Sequence, residues 1–288
     1  MNPAFVASLT QALGEASPPA RWETVSGGDI NAAAIIRFAS ASYFAKFGGV
    51  DREAFEAEAE GLATLRQANT SLVIPKPLAT GDAGGQAFLV LEQLPLTRKS
   101  PTTDRALGMG LAELHAPAQP RFGWHRDNRI GATPQPNRWS DDWVVFFTRY
   151  RLRHQARLLG HAGVSDAVEA LAPALHRLFA GFEPYPSLLH GDLWGGNYAG
   201  TSDGGAAIYD PACYCGCRES DLAMTELFGG FGPAFYQAYE DRLPLHAGYR
   251  QRRPLYQLYH VLNHANLFGG SYLGQALALL EKLIATAR

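Results

Sequence analysis

The chain has few cysteines, almost no excess charge and no long unbroken apolar run. Its 288 residues include three cysteines, Cys213, Cys215 and Cys217, crowded into one short stretch. An odd number so placed gives no disulfide framework and suits reduced thiols in a cytosol. Alternation with Tyr214 and Gly216 would put the three thiols on one side of an extended segment. Zinc sites usually draw on two ligand clusters, however, and no Cys/His pair of matching spacing occurs elsewhere, so the thiols read as small packing residues. A net charge of −2 gives no general attraction to nucleic acid or to an anionic membrane, which leaves a small molecule as the expected partner. No apolar stretch approaches the roughly 18 residues of a membrane span. The opening segment also lacks the basic start and apolar run of a signal peptide. A cytoplasmic protein is expected, and a monomer, although the apolar C-terminal helix could pack internally or against a neighbour.

With 47% hydrophobic residues the chain can bury a sizeable core. Phe5, Leu9 and Leu13 recur every four residues, the pattern of a short amphipathic helix. Short β-rich runs then dominate up to about residue 95, at 22–25, 33–38, 43–47 and 87–91, interrupted by one helical segment at 52–67. Helical patterns dominate afterwards, at 104–115, 139–159, 165–182, 221–228, 233–242 and 253–287, around one β-rich island at 188–210. The expected fold is α+β and bilobal: an N-lobe (1–94) of antiparallel sheet plus one helix, and a mainly helical C-lobe (95–288). The connector is Glu92-Gln93-Leu94-Pro95, where an apolar strand meets a proline that cannot donate a ladder hydrogen bond. Ligands often bind between such lobes, which makes Glu92 and Leu94 candidates for contact with a bound nucleotide.

The sharpest signal is Leu188-Leu189-His190-Gly191-Asp192-Leu193-Trp194-Gly195-Gly196-Asn197. Thirteen residues after Asn197, a second apolar run, Ala206-Ala207-Ile208-Tyr209, delivers Asp210. Between them Thr201-Ser202-Asp203-Gly204-Gly205 is a turn. A hairpin would bring Asp192, Asn197 and Asp210 to one end. That set suits phosphoryl transfer, with Asp192 accepting the proton of an attacking hydroxyl and Asn197 and Asp210 holding Mg²⁺ against nucleotide phosphates. Asp, Asn and Gly are also common turn residues, but chance poorly explains all of them at this spacing.

Phosphoryl transfer also wants a lysine on a strand and a carboxylate on the following helix. Lys46 lies in the aromatic run Tyr43-Phe44-Ala45-Lys46-Phe47. On the helix 52–67, Phe55, Ala59, Leu62 and Leu65 form an apolar stripe, and Glu58 falls inside it, whereas Glu53, Glu56 and Glu60 fall opposite. A carboxylate on a core-facing stripe is costly unless paired, and Lys46 is the natural cation. The alternatives are a solvated edge lysine and a Glu58 that snorkels to the surface. Ahead of them Val25-Ser26-Gly27-Gly28-Asp29 could let backbone N–H groups at Gly27 and Gly28 approach phosphates, or could be an ordinary hairpin turn. Asp221, in Arg218-Glu219-Ser220-Asp221, is a plausible helix N-cap.

These residues together resemble the fructosamine (ketosamine) kinases, a branch of the aminoglycoside-phosphotransferase-like kinases, over nearly the whole chain. The resemblance rests on Ser26-Gly27-Gly28, Phe55-Glu56-Ala57-Glu58, the run from His190 to Asn197 with its Leu193-Trp194 insert, and Asp210-Pro211-Ala212. It extends through Arg218 to Phe231, Phe122-Gly123, Thr133-Pro134-Gln135-Pro136-Asn137, Trp139, and Tyr256 to His260 with Asn263. It implies transfer of the ATP γ-phosphate, with Mg²⁺, to the C3 hydroxyl of a fructosamine, ribulosamine or erythrulosamine. Glycated protein lysines are possible carriers, and breakdown of the product would free the amine. By position it implies Asp192 as base, Asn197 and Asp210 as metal ligands, and Lys46 with Glu58 as the nucleotide clamp. It also implies an Asp221 that braces the catalytic loop, and a Trp194 that either lies against the sugar or packs in the C-lobe. Asp29 stands where relatives often carry Cys, which disfavours a thiol switch there, and Gly195 stands where Ser is frequent. No Asp-Phe-Gly or long activation segment occurs, so protein substrates recognised by such a segment are unsupported. A kinase for another hydroxylated amine, an aminoglycoside or choline, is the alternative within the fold, although no dense acidic tail is present. A non-catalytic pseudokinase would be expected to lack a key residue, and none is missing.

Overall fold

A computed structural model describes residues 3–25 and 31–286. Gly27 and Gly28, with Ser26 and Asp29, lie outside the described residues. Helix α1 (Pro3–Ala12) precedes the strands β1 (Arg21–Val25), β2 (Ala32–Arg37) and β3 (Ser42–Phe47). Helix α2 (Arg52–Gln67) follows, then β4 (Pro77–Ala83) and β5 (Gln86–Glu92). The five strands form one antiparallel sheet in the order β1-β2-β3-β5-β4.

Strand periodicity sorts β5 between two layers. Phe88 and Val90 join Phe5 and Leu9 of α1 on one face, and Leu89 and Leu91 join Phe55, Leu62 and Leu65 of α2 on the other. The N-lobe sheet thus carries a helix on each face. Strand β4 was not expected, because Pro77 and Gly81 break its pattern. Gly81 is required there: a Cβ would stand 2.5 Å from the Phe88 ring.

Residues beyond the sheet are mostly helical. Strand β6 (Leu96–Thr97) leads to α3 (Pro101–His115), capped by Ser100, and then to the hairpin β7 (Asn128–Ile130) and β8 (Thr133–Gln135). Helix α4 (Trp143–Phe147) runs through one π-helical turn into α5 (Arg153–Leu159). The helix expected over 165–182 is instead α6 (Ala162–Leu171) and the short α7 (Leu175–Leu178), because Pro173 forces a tight 3₁₀ turn between them. Next come β9 (Ser187–Leu189), the hairpin β10 (Tyr198–Thr201) and β11 (Ala206–Ile208), and β12 (Tyr214–Gly216), which pairs with β9. Four helices finish the chain: α8 (Glu219–Thr225), α9 (Pro233–Arg242), α10 (Tyr249–Phe268) and α11 (Ser271–Thr286). The single helix expected over 253–287 divides at Gly269 and Gly270, both in the left-handed region (φ 62° and 59°).

The segment holding Cys213, Cys215 and Cys217 is extended and buried, and all three are free thiols. Burial pushes the Cys215 and Cys217 thiols up to about 12, which leaves them unreactive. No described helix is long and apolar enough to cross a membrane.

Candidate active site

A cleft of about 930 Å³ lies between the N-terminal sheet and the helical part. Strand β3 places Lys46 on its floor, and α2, started by the Asp51 side chain accepting from Ala54 N, places Glu58 beside it. Lys46 Nζ stands 2.7 Å from Glu58 Oε1 and 2.8 Å from Asp210 Oδ1. The pairing expected from the misplaced carboxylate on α2 is therefore present, and Asp210 joins it. Burial alone would push the Lys46 ammonium down. The Asp210 and Glu58 carboxylates outweigh burial and hold it above its ordinary value, so it stays charged. Burial pushes Glu58 up and Lys46 opposes this.

The β10–β11 hairpin brings Asp192, Asn197 and Asp210 together. Asn197 Nδ2 donates to the Asp192 carbonyl (2.8 Å) and lies 3.4 Å from both Asp192 Oδ2 and the Asp210 carbonyl. Asp192 sits in the cleft with its carboxyl pushed up to about 7 by burial and by the charges of Asp210 and Asp221, against the opposing Asn197 amide. Such a value near neutrality suits a general base.

Asp221 underlies this loop. Its carboxylate accepts from His190 N and Gly191 N (both 2.8 Å), and lies 3.2 Å from His115 Nε2. It is not an N-cap: α8 starts at Glu219, and Asp221 lies inside its first turn, where its carboxylate turns back to the loop. Gly191 (φ 83°) is needed for close approach, since a Cβ there would stand 2.1 Å from the Ala212 carbonyl. Gly195, by contrast, has room for a side chain, and its carbonyl accepts from Lys99.

Glu92 and Leu94 line the cleft at the connector. The Glu92 side chain accepts from Lys76 N at 3.2 Å. Trp194 is 38% exposed and lies over Gly196, where a Cβ would meet the indole at 2.3 Å. It is therefore a cleft residue rather than a buried packing residue, edge-on to Phe228. Sequence reasoning missed the rest of this wall. Phe228 packs on His264, with centroids 4.6 Å apart, and His264 on Phe268 and Tyr272; all four line the cleft, with Phe268 49% exposed. The spacing of His264 and Phe268 along α10 was the available signal, but Phe228 meets them only through tertiary packing.

The donor set is one for a hard cation. Asn197 spends its N–H groups inside the protein, which leaves Oδ1 as an acceptor, and Asp210 adds a carboxylate. Two protein oxygens fit Mg²⁺, which usually keeps water and phosphate in its remaining positions. Among the described residues no cluster of three or more His, Cys, Asp or Glu could hold a metal by itself.

Lobes, cleft and hairpin define a phosphotransferase of the protein-kinase-like class. A solved aminoglycoside phosphotransferase bound to streptomycin and ATP matches with a TM-score of 0.68 at 14% identity, covering 98% of this chain and 96% of its own, which shows the fold alone. The chain belongs to the fructosamine kinase family, whose model matches residues 1–286. A protein of Vibrio parahaemolyticus named "Probable ketoamine kinase" is 44% identical over 90% of this chain and 91% of its own. A protein of Oryza sativa subsp. indica named "Protein-ribulosamine 3-kinase, chloroplastic" is 37% identical over 95% of this chain and 85% of its own. A crystal structure ascribed to a fructosamine-3-kinase of Haemophilus somnus matches with a TM-score of 0.88 at 28% identity, covering 97% and 96% of the two chains.

Proposed function

We propose that this enzyme transfers the γ-phosphoryl group of ATP to the C3 hydroxyl of a ketosamine, a sugar joined to an amine through an Amadori linkage, and so initiates release of the amine. The observation that carries the reading is the convergence of a half-buried Asp192, poised near neutrality, with Asn197 and Asp210 beside the Lys46–Glu58 pair.

In this reading residues 1–94 grip the nucleotide, with Glu92 and Leu94 beside the base, and residues 95–288 hold metal and sugar. Lys46, fixed by Glu58, neutralises phosphate charge. Asp192 orients the sugar hydroxyl and takes its proton as the oxygen bonds to γ-phosphorus; the bond from that phosphorus to the β-phosphate bridging oxygen breaks, and ADP leaves. Asn197 and Asp210 would hold Mg²⁺, which when bound supplies positive charge against the phosphate oxygens.

The aromatic wall of Trp194, Phe228, Phe268 and Tyr272 favours a ketosamine over an aminoglycoside. Among the described residues the carboxylates lining the cleft are Glu58, Glu92, Asp192 and Asp210, and Lys46 engages two of them. A polycationic aminoglycoside would find little free negative charge there. A single cationic secondary amine carrying an apolar stem suits aromatic faces. Fructosamine, ribulosamine and erythrulosamine are the candidate acceptors, free or on glycated lysines, and a cytoplasmic monomer is the working state.

The test is Mg²⁺-dependent ATP consumption on ribulosamine, erythrulosamine, fructosamine, choline and kanamycin, with Asp192→Asn as blank. Turnover on a ketosamine that the variant lacks is expected. Turnover on choline or kanamycin alone would overturn the substrate assignment, and ATP binding without any turnover would point to a pseudokinase.

A further inference from the structure

The run Thr133-Pro134-Gln135-Pro136-Asn137 takes no part in the chemistry above, yet Gln135 is 1% exposed and Asn137 is fully buried. Two buried primary amides are costly unless their hydrogen bonds are made, so their partners are informative. Gln135 Nε2 donates to the Ala212 carbonyl (3.1 Å) and to Asn128 Oδ1 (2.8 Å). Asn128 Nδ2 in turn donates to the Cys213 carbonyl at 2.8 Å. Asn137 Nδ2 also reaches Asn128 Oδ1 (2.8 Å), while Arg151 Nη2 donates to Asn137 Oδ1 (2.7 Å). The Tyr259 hydroxyl of α10 donates to Gln135 Oε1 at 2.5 Å. The Ala212 carbonyl can only accept, so Nε2 must face it, and Oε1 is left to accept from the Tyr259 hydroxyl.

Ala212 and Cys213 follow Asp210, whose backbone is left-handed (φ 59°), an unfavourable conformation for a residue with a Cβ. Such a conformation persists only where its flanks are fixed. Before Asp210, Tyr209 N donates to the Asn197 carbonyl; after it, Ala212 N donates to the His190 carbonyl. The catalytic loop adds His190 Nε2 at the Tyr209 carbonyl (3.0 Å) and Asn197 Nδ2 at the Asp210 carbonyl (3.4 Å), and from the far side the side-chain amides of Gln135 and Asn128 reach the carbonyls of Ala212 and Cys213. The loop bearing Asp210 is therefore tied to the catalytic loop on one side and, through Gln135, to α10 on the other.

We propose that Gln135 is a positioning residue for Asp210: its amide, aimed by Tyr259 and seconded by Asn128, anchors the carbonyl two residues beyond Asp210 and keeps that carboxylate turned toward Lys46 and the cation site. This rests on Asp210 being a metal ligand.

The experiment compares Gln135→Met, which keeps length without the amide, with Tyr259→Phe, their double variant, and Asp210→Asn as reference. Mn²⁺ binding with ATP and no acceptor is measured by electron paramagnetic resonance, alongside kcat, KM and near-ultraviolet circular dichroism. Gln135→Met is expected to fold, to bind Mn²⁺ about tenfold more weakly and to lose kcat by about 10–100-fold with KM for the acceptor within about twofold. Tyr259→Phe should move the same quantities less, and the double variant should be no worse than Gln135→Met. A folded Gln135→Met with native Mn²⁺ affinity and kcat, beside a weakened Asp210→Asn, would overturn this inference alone. Native Mn²⁺ affinity in Asp210→Asn would overturn the ligand assignment and this inference with it. Should Gln135→Met not fold, Tyr259→Phe, which removes one oxygen, decides: an unchanged kcat refutes the positioning role.

Discussion

Replacing Lys46 with methionine keeps the unbranched stem and deletes the cation that lies between Glu58 and Asp210. The cost follows from what is left behind. The Glu58 side chain is only 15% exposed, whereas that of Asp210 is 40% exposed and can be rehydrated. Breaking a buried pair from one side costs about 3–5 kcal/mol, and water at Asp210 places this case near the lower end. The loss should depend on pH. With Lys46 gone, burial and the Asp210 charge both push the Glu58 carboxyl up and nothing comparable opposes them. A native-state value above the unfolded one means that the folded variant binds a proton which the unfolded chain releases. Its stability is then intact below about pH 4.5 and falls as pH rises toward the elevated value, by up to about 1.4 kcal/mol per pH unit. Urea unfolding followed by tryptophan fluorescence at pH 5.5, 6.5 and 7.5 should show the gap to wild type widening with pH. Adding Glu58→Gln should remove that dependence. A gap below about 1 kcal/mol, or one constant across this range, would show that Glu58 is solvated and that the reasoning is wrong.

Buried His260 is held down at about 3 by burial and by His264 and Arg151, against Asp221. The unfolded chain therefore takes up a proton near pH 6.5 that the fold refuses, so stability present above that pH is lost as pH falls; His260→Gln should spare about 1.4 kcal/mol per pH unit between pH 6.5 and 4.5, read by urea unfolding. Gly108 of α3 faces α9 so closely that a Cβ would stand 2.2 Å from the Phe235 carbonyl; Gly108→Ala should cost about 3 kcal/mol, measured in the same assay. Trp194→Ala and Phe268→Ala, at exposed positions, should leave the thermal midpoint within a few degrees while raising KM for the acceptor about tenfold and leaving KM for ATP within about twofold.

What the sequence disclosed was whatever a short stretch determines by itself. Helix α2 was legible because a stripe of apolar residues repeats along it. Glu58 was legible because it violates that stripe, and an ionised group inside an apolar surface requires a partner. The Asp192–Asn197–Asp210 set could be read because a single hairpin brings its two ends together. The breaks at Pro173 and Gly269-Gly270 carry local signals, yet the long apolar periodicity around them outweighed those signals. Strand β4 was hidden because its pairing with β5, not its own composition, makes it a strand. The place of Phe228 in the aromatic wall and the bond between Gln135 and Tyr259 were beyond reach for one reason: each contact is made across a separation that no local pattern encodes.

The same contacts bear on how such a site is governed. In kinases whose glutamate helix swings, activity is set by whether the lysine–glutamate pair is made. Here α2 lies directly on the Asp210 loop: a Cβ on Gly61 would stand 3.2 Å from Cys213 Sγ and 3.6 Å from the Pro211 ring. Arg129 bonds to Asp51 at the start of the helix, and His125 and Arg126 reach Glu60, two residues beyond Glu58 and on the other side of the helix. Those surface pairs are individually weak, but they act on a helix already seated by packing. Turning Asp210 away would require breaking the Ala212 bonds to His190 and Gln135 together, with Pro211 limiting the backbone between them. Lys46, Glu58 and Asp210 are thus held together from both sides, by the seating of α2 on the Asp210 loop and by the backbone bonds of Ala212.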